Sequence, residues 1–436
     1  MGNLLLLDEG WVANMHVAAG LRRAGFRCHR LGTKEISSSA ARLVVSQELA
    51  PPIQSAEYLA AAERIIAVHS ISMVLPLTDR TLHRIWQAAP SWMHMVRPTS
   101  EPWQRALLLN KRSVCEFVST RGVSIPLQRV VGSLDEVEDV LEGFGMPAVI
   151  KGITSCGGSR VRVVAERGGI RRSMAEMLVA GEELPTLQEF IVGQPCIVAG
   201  LFVEGEPVRL FAAEKIEAWP ELTGPATRLR TTDDPRLIGA ATAAFRALRW
   251  TGLAQADLVR HSSGRCVFIE MNVRPWGSIA AARQVGVDLF TPYAALLRGG
   301  RPIPDLAFGA NRTMALVPQR QLYLLSTGGM GAVWRMLADP AAWRAVPWHD
   351  PALAVHILAR VCKVLRALVG RRLAQQSGIF SQPWRAWRLV RRAVGYVQET
   401  IHPYPRPPLR RTLLPPFTLP APAPDERRQP RPNRPA

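Results

Sequence analysis

Gly252-Leu253-Ala254-Gln255-Ala256-Asp257-Leu258-Val259 and Val267-Phe268-Ile269-Glu270-Met271-Asn272 decide how this chain is read. Each is a short, mostly apolar run, and Gly264 lies between them as a turn residue, so the two read as the arms of a β-hairpin. Alternation with period two puts Glu270 and Asn272 on one face of the returning strand, and the hairpin brings Asp257 beside them. Two carboxylates and an amide oxygen form a hard-oxygen cluster suited to Mg²⁺. A solvent-facing pair of acids is the plainer reading. Phe268, Ile269, Met271 and Val273 around them are apolar, however, and burying unpaired acids there would be costly.

Only five of the 54 basic residues are lysine: Lys34, Lys111, Lys151, Lys215 and Lys363. Arginine serves almost everywhere a generic positive charge is needed, so a retained lysine is informative. Its compact ammonium suits a phosphate oxygen in a tight pocket that a planar guanidinium does not fit. Lys151 ends the apolar strand Pro147-Ala148-Val149-Ile150 and precedes the small-residue loop Ser155-Cys156-Gly157-Gly158-Ser159, after which Val161 to Val164 reads as a returning strand. Backbone N–H groups of such a loop can cradle phosphate while the lysine neutralises charge. Taken alone, Gly157-Gly158-Ser159 is no more than a hairpin turn.

Upstream, Asn3 to Leu7 reads as a strand, Val12, Val17 and Leu21 mark a helix ending near Gly25, and Phe26 to Leu31 reads as strand again. Leu59 to Val68 and Met73 to Leu77 repeat the alternation, which predicts a small parallel α/β domain with Asp8 and Thr78-Asp79 facing a ligand crevice. Leu107 to Arg121 and Leu134 to Gly143 read as helices.

Phe268-Ile269-Glu270-Met271-Asn272-Val273-Arg274-Pro275-Trp276-Gly277-Ser278 resembles the metal-binding strand and following loop of the ATP-grasp superfamily, most closely its carboxylate-amine ligase group. The resemblance runs from about residue 105 to 300. Asn110-Lys111 resembles the first nucleotide-lysine segment, where the family often has Asp. Val149-Ile150-Lys151 resembles the second lysine strand, with Ser155, Gly157, Gly158 and Ser159 as the phosphate cover. Gln188-Glu189-Phe190-Ile191-Val192-Gly193 resembles the hinge between lobes that holds adenine. Pro195 stands where many members carry a ribose-binding glutamate. Lys215 resembles the basic residue that meets the terminal phosphate, and Thr223-Gly224-Pro225-Ala226-Thr227 the substrate-side loop after it.

The resemblance implies an α/β fold with α+β ATP-grasp lobes. It divides into a Rossmann-like pre-ATP-grasp domain (1–104), a small lobe (105–186), a large lobe (187–302), a helical basic extension (303–402) and a Pro/Arg-rich tail (403–436). It also implies ATP-dependent ligation, with Mg²⁺, or Mn²⁺ in its place, on Asp257, Glu270 and Asn272. A carboxylate takes the γ-phosphate while Lys111, Lys151 and Lys215 neutralise charge, and an amine then displaces phosphate through an oxyanion that Arg274 stabilises. No convincing Ser/His or Cys/His pair is present, and this chemistry needs no nucleophilic side chain.

The net charge of +19 is unevenly placed: residues 351–436 hold 16 Lys and Arg against 3 acids. The region resembling the ATP-grasp module is close to balanced, and no reading helix, zinc module or aromatic sheet platform favours nucleic acid. In Trp384 to Val397, Arg385, Arg388, Arg391 and Arg392 accompany Trp384, Trp387, Leu389, Val390 and Val394. This pattern suits either contact with an anionic membrane surface or docking on the protein's own body. The six cysteines are scattered without metal-ligand spacing and read as reduced core residues. The N-terminal leucines lack a basic leader and run into Asp8 and Glu9, and no apolar run is long enough to span a bilayer, so a cytoplasmic protein is expected.

Overall fold

A leucine run with no polar alternation, Leu4 to Leu7, forms the centre of the first sheet because a parallel strand is covered on both faces. Leu4 and Leu6 enter one buried cluster and Leu5 and Leu7 another, all four fully buried. The structure, a computed structural model, describes residues 2–152, 161–179, 185–219, 224–317, 319–321, 323, 335 and 338–362. All of these belong to one unit, Met1–Pro405.

The N-terminal part runs β1 (Asn3–Asp8), α1 (Val12–Arg23), β2 (Arg27–Gly32), α2 (Ser38–Ala41), β3 (Ser46–Leu49), α3 (Ala56–Val68), β4 (Met73–Pro76) and α4 (Asp79–Ala88). Its strands pair in parallel in the order β3-β2-β1-β4, the α/β arrangement expected from the alternation. Thr78 caps α4 by a reciprocal capping box with Thr81, which fixes Asp79 at the first helical position. Asp8, expected to face a crevice, instead closes it. Its carboxylate is fully buried, accepts from Arg30 Nε at 2.7 Å and from Gly10 N at 2.8 Å, and contacts Asn14. The same strand ends are covered by helical residues 351–362, through His356 Nδ1 to Ser37 Oγ (2.7 Å) and Arg360 Nη2 to Gly10 O (3.1 Å).

Next come α5 (Pro102–Leu108), α6 (Lys111–Ser119), β5 (Gln128–Val130), α7 (Val137–Leu141), β6 (Ala148–Lys151), β7 (Val161–Val164), α8 (Arg167–Val179) and β8 (Thr186–Glu189). The single helix expected over Leu107 to Arg121 is two, because Asn110 is extended and its Oδ1 accepts from Arg112 N at 2.9 Å as the N-cap of α6. β5-β8-β6-β7 form an antiparallel sheet with Ile170, Met174 and Met177 of α8 in its core.

The third sheet, β13-β12-β9-β10-β11-β14, is six-stranded and is built from β9 (Gly193–Val203), β10 (Glu206–Ala218), β11 (Ala226–Thr231), β12 (Gly252–His261), β13 (Cys266–Asn272) and β14 (Thr313–Ala315). α9 (Pro235–Leu248) and α6 cover one face. α1, α10 (Ala281–Gln284), α11 (Phe290–Leu297) and helix Pro340–Ala345 contribute to the cluster on the other. This sheet takes an edge strand from beyond residue 302. Among the cysteines, Cys28, Cys115, Cys196 and Cys266 are free and buried; Cys362, expected in a core, is exposed. Cys156, Lys363 and the segment Trp384 to Val397 lie outside the described residues. Among those described, no helix is long and apolar enough to cross a membrane.

Candidate active site

β12 and β13 pair as an antiparallel hairpin in which Asp257 stands directly opposite Glu270 and Gln255 opposite Asn272. Gly264 turns the hairpin at φ +83, a left-handed conformation that side chains with a Cβ resist. A register shift between Asp257 and Leu258 interrupts the ladder beside the carboxylates, where a bulge can re-aim a side chain. Three of the sequence-derived site residues, Asp257, Glu270 and Asn272, are thus brought together by one local element.

Cations from three other elements converge on them. Lys111, at the first position of α6, donates from Nζ to Glu270 Oε2 at 3.0 Å. Lys215 of β10 is ion-paired with Asp257 Oδ1. Lys151, at the end of β6, is close enough that the Glu270 and Asp257 charges stabilise its ammonium; burial nonetheless outweighs them and lowers its pKa. For Lys215 burial acts in the same direction, but the Asp257 charge and hydrogen bond prevail and its pKa is raised. Burial would raise the Glu270 pKa. Lys111, Lys151, the Lys111 hydrogen bond and Lys215 overcome it and hold the carboxyl at about 2.

The remaining polar atoms are tied into the same network. Asp257 Oδ2 accepts from Gln255 Nε2 at 2.7 Å and Asn272 Nδ2 at 3.2 Å, and Asn272 Oδ1 accepts from Arg274 Nη2 at 3.1 Å. Arg274 is buried and forked onto Asp79 of α4, with Nε to Oδ1 at 2.9 Å and Nη2 to Oδ2 at 2.7 Å. Burial opposes ionisation of Asp79, yet Arg274, with Lys111 and His83 adding, takes its carboxyl well below the ordinary range. Cys115 of α6 points its Sγ at Ile269 O (3.4 Å), and burial pushes this thiol up, so it stays protonated among the lysines.

Gln188 is buried on β8, in register with Val149 of the Lys151 strand and with Gln128 of β5. The Glu189 carboxylate accepts from Leu127 N at 3.0 Å, so it is engaged in holding β8 to the chain before β5. Phe190 and the buried Ile191 connect β8 to β9, the crossing from one sheet to the next. Pro195 lies on β9, exposed and in register with Val259. Ser155, Gly157, Gly158 and Ser159 fall outside the described residues, as does Thr223 of the substrate-side loop; Thr227 at its far end donates to Glu217 Oε1 at 2.5 Å.

Two residues, Gln255 and Arg320, and one pairing, Asp79 with Arg274, escaped the sequence reading. Gln255 could have been found, because it shares a strand face with Asp257 at two residues' spacing. The partnership of Asp79 with Arg274 has no local signal, nor has Arg320, which bonds Glu217 on the strand of Lys215 and Asp339 Oδ2 at 3.3 Å.

Two carboxylates and an amide oxygen on one hairpin, with ammonium groups bonded to both carboxylates, are a donor set that fits a hard divalent cation. Comparison with known proteins identifies a domain family over this stretch. Residues 108–278 match the model of the ATP-grasp domain family. A D-alanine–D-alanine ligase from Geobacter sulfurreducens is 30% identical over 184 residues, covering 39% of this chain and 56% of the ligase, so the match spans little more than half of that relative. The fold is similar to that of L-amino acid ligase from Bacillus licheniformis, with TM-score 0.56, 15% identity and coverage of 68% of this chain and 74% of that one. It is also similar to N5-carboxyaminoimidazole synthetase from Staphylococcus aureus complexed with ADP, with TM-score 0.60, 10% identity and coverage of 75% and 85%. The carboxylate hairpin and the three converging lysines all lie within residues 108–278, the stretch of this chain that matches the ATP-grasp domain family.

Proposed function

We propose that the protein is an ATP-dependent carboxylate-amine ligase that works through an acyl phosphate. The observation that carries this reading is the opposition of Asp257 and Glu270 across the hairpin with Lys111 and Lys215 bonded to them. Asp257, Glu270 and Asn272 would hold Mg²⁺, which would supply charge neutralisation at the phosphates. Lys111 and Lys215 are bonded to these carboxylates, and with Lys151 they would offer three ammonium groups to the phosphate oxygens of ATP. Their fixed positive charge lowers the barrier to transfer of the γ-phosphoryl group to a substrate carboxylate. The amine then adds to the acyl carbon, and Arg274, kept in place by Asp79, stabilises the oxyanion before phosphate leaves. D-alanine–D-alanine ligase and L-amino acid ligase, two proteins this chain is similar to, are named for amino acids, and amino acid substrates are the first class to try here.

A screen of amino acids and small carboxylates for amine-dependent release of ADP and phosphate tests the reading, with Glu270→Gln as control. Release that needs a carboxylate but no amine would make the protein a kinase instead. Absence of Mg·ATP binding in calorimetry would refute it.

A further inference from the structure

On the far side of the loop that follows Arg274 lies a second cavity, of about 350 Å³, between α1, α10, the start of α11 and the residues around His349 and Leu353. Ile279, Ala282, Val287, Leu289, Phe290 and Leu353 give it an apolar lining. Four basic side chains border it: His16, Arg23, Arg283 and His349. Burial brings the His16 imidazole down to about 3 and also lowers His349, so both rings are neutral near pH 7 and the charges there are the two guanidinium groups.

Of the neighbouring carboxylates, Asp350 is shared between Arg22 and the cavity's own Arg23, and Asp288 caps a helix start, so Arg283 is the guanidinium left to a ligand. Asp350 receives Arg22 Nη2 at 3.2 Å, Arg23 Nη1 at 3.5 Å and Leu353 N at 3.2 Å, while Asp288 Oδ1 accepts the N–H groups of Phe290 and Thr291 at the start of α11. Arg283 makes no ion pair among the described residues, and both burial and the Arg23 charge disfavour its cationic form. Arg23, Arg283 and His349 are exposed and His16 is buried, so the hollow joins an apolar lining and a buried imidazole to two solvent-facing guanidinium groups, a combination complementary to an anion with an apolar body. His16 offers a ring nitrogen from the buried end, and Arg283 can bind an oxyanion with two parallel N–H bonds.

We propose that this cavity is a second ligand site, separate from the nucleotide site, for a small organic anion: an oxyanion head on Arg283 and Arg23 with a short aliphatic arm against Ile279, Val287 and Leu353. Past Arg274 its lining begins five residues on, at Ile279. Ile279 N bonds Trp276 O at 3.1 Å two residues after Arg274, and Gln284 Nε2 holds Ala315 O at 3.1 Å, so occupancy would stiffen the segment that carries Arg274.

Binding, rather than turnover, tests this, so the outcome does not depend on the ligase reading. Isothermal calorimetry on the full chain with sodium hexanoate should give saturable binding that is unaffected by saturating Mg·ADP. Arg283→Glu should weaken it by about tenfold or more, the loss expected from a charge-assisted pair. Hexylammonium chloride should not bind, and inorganic phosphate in place of hexanoate should bind more weakly, because it lacks the arm. Equal hexanoate affinity in Arg283→Glu, competition by Mg·ADP, or equal binding of hexylammonium would overturn the proposal. Crystals of the unsubstituted chain soaked in 6-bromohexanoate give a check that needs no variant: the bromine anomalous peak belongs beside Ile279 and Val287, and a peak only elsewhere, or none, rejects the site.

Discussion

Asp79 and Arg274, 195 residues apart, meet in a two-bond fork with nitrogen–oxygen distances of 2.9 and 2.7 Å. The first residue of α4, in the N-terminal α/β part, thereby fixes the arginine that follows the carboxylate hairpin. The same guanidinium reaches Asn272 Oδ1, so the end of the oxygen cluster is oriented from outside the ATP-grasp domain.

Loss of this fork should therefore affect catalysis more than nucleotide binding. Asp79→Asn, which keeps the shape and removes the charge, is expected to lower kcat by about 10- to 100-fold, the range associated with misplacing a group by roughly an ångström. KM for ATP should change little, because the proposed mechanism puts Arg274 at the acyl end of the reaction. Asp79→Ala should also lower the melting temperature, since it leaves a buried guanidinium short of its partner, a defect of about 3–5 kcal/mol when fully buried. Steady-state ADP release and thermal melts separate the two effects; an unchanged kcat would show that Arg274 needs no such support.

Glu270→Gln should abolish carboxylate-dependent ADP release, by at least about 100-fold, while leaving the hairpin folded. The acid side of the pH profile follows from its depressed pKa. The folded carboxyl, at about 2, lies below its ordinary 4.5, so its ionised form favours the native state above about pH 4.5. That contribution is lost only as pH falls through about 2. Mg·ADP affinity should consequently lose nothing to Glu270 protonation between pH 7 and 5, which calorimetry across that range can check.

On the alkaline side Lys151 should titrate first. Burial lowers its pKa, whereas Asp257 raises that of Lys215, so rising pH removes the Lys151 charge while Lys215 keeps its proton. Nucleotide affinity should fall along this limb. Lys151→Arg, which stays charged, should move the limb to higher pH even if it binds ATP more weakly at pH 7.

How much of this was legible in the sequence depended on how far apart the interacting residues are. Asp257 and Glu270 were readable because a strand's alternation and one turn glycine are local properties, and Lys151 because an apolar strand ended in it. The break at Asn110 was carried by one side chain acting as a cap, which a helical pattern through Leu107 to Arg121 hides. The closure of the crevice by Arg30 on Asp8, and the fork of Asp79 on Arg274, depend on tertiary approach that no window of sequence contains. A run of leucines predicts a buried strand but not that the polar residue at its end will be buried as well.

His356 gives the docking of helical residues 351–362 a predictable pH response. Its ring is buried, bonds Ser37 Oγ through Nδ1 at 2.7 Å, and has a pKa brought down to about 3 by burial, with Arg360 also disfavouring the proton. An unfolded or undocked segment would bind a proton near the ordinary 6.5, so between about pH 6.5 and 3 the open state holds more protons than the closed one. Stability of this contact is therefore complete above pH 6.5 and declines as pH falls toward 3. Buried His16 acts with the same sign from α1. Hydrogen exchange at pH 7.5 and 5.0 should show residues 351–362 losing protection at the lower pH, and His356→Gln should remove most of that difference. Protection that is equal at both pH values would mean that the helix is held by its apolar contacts alone.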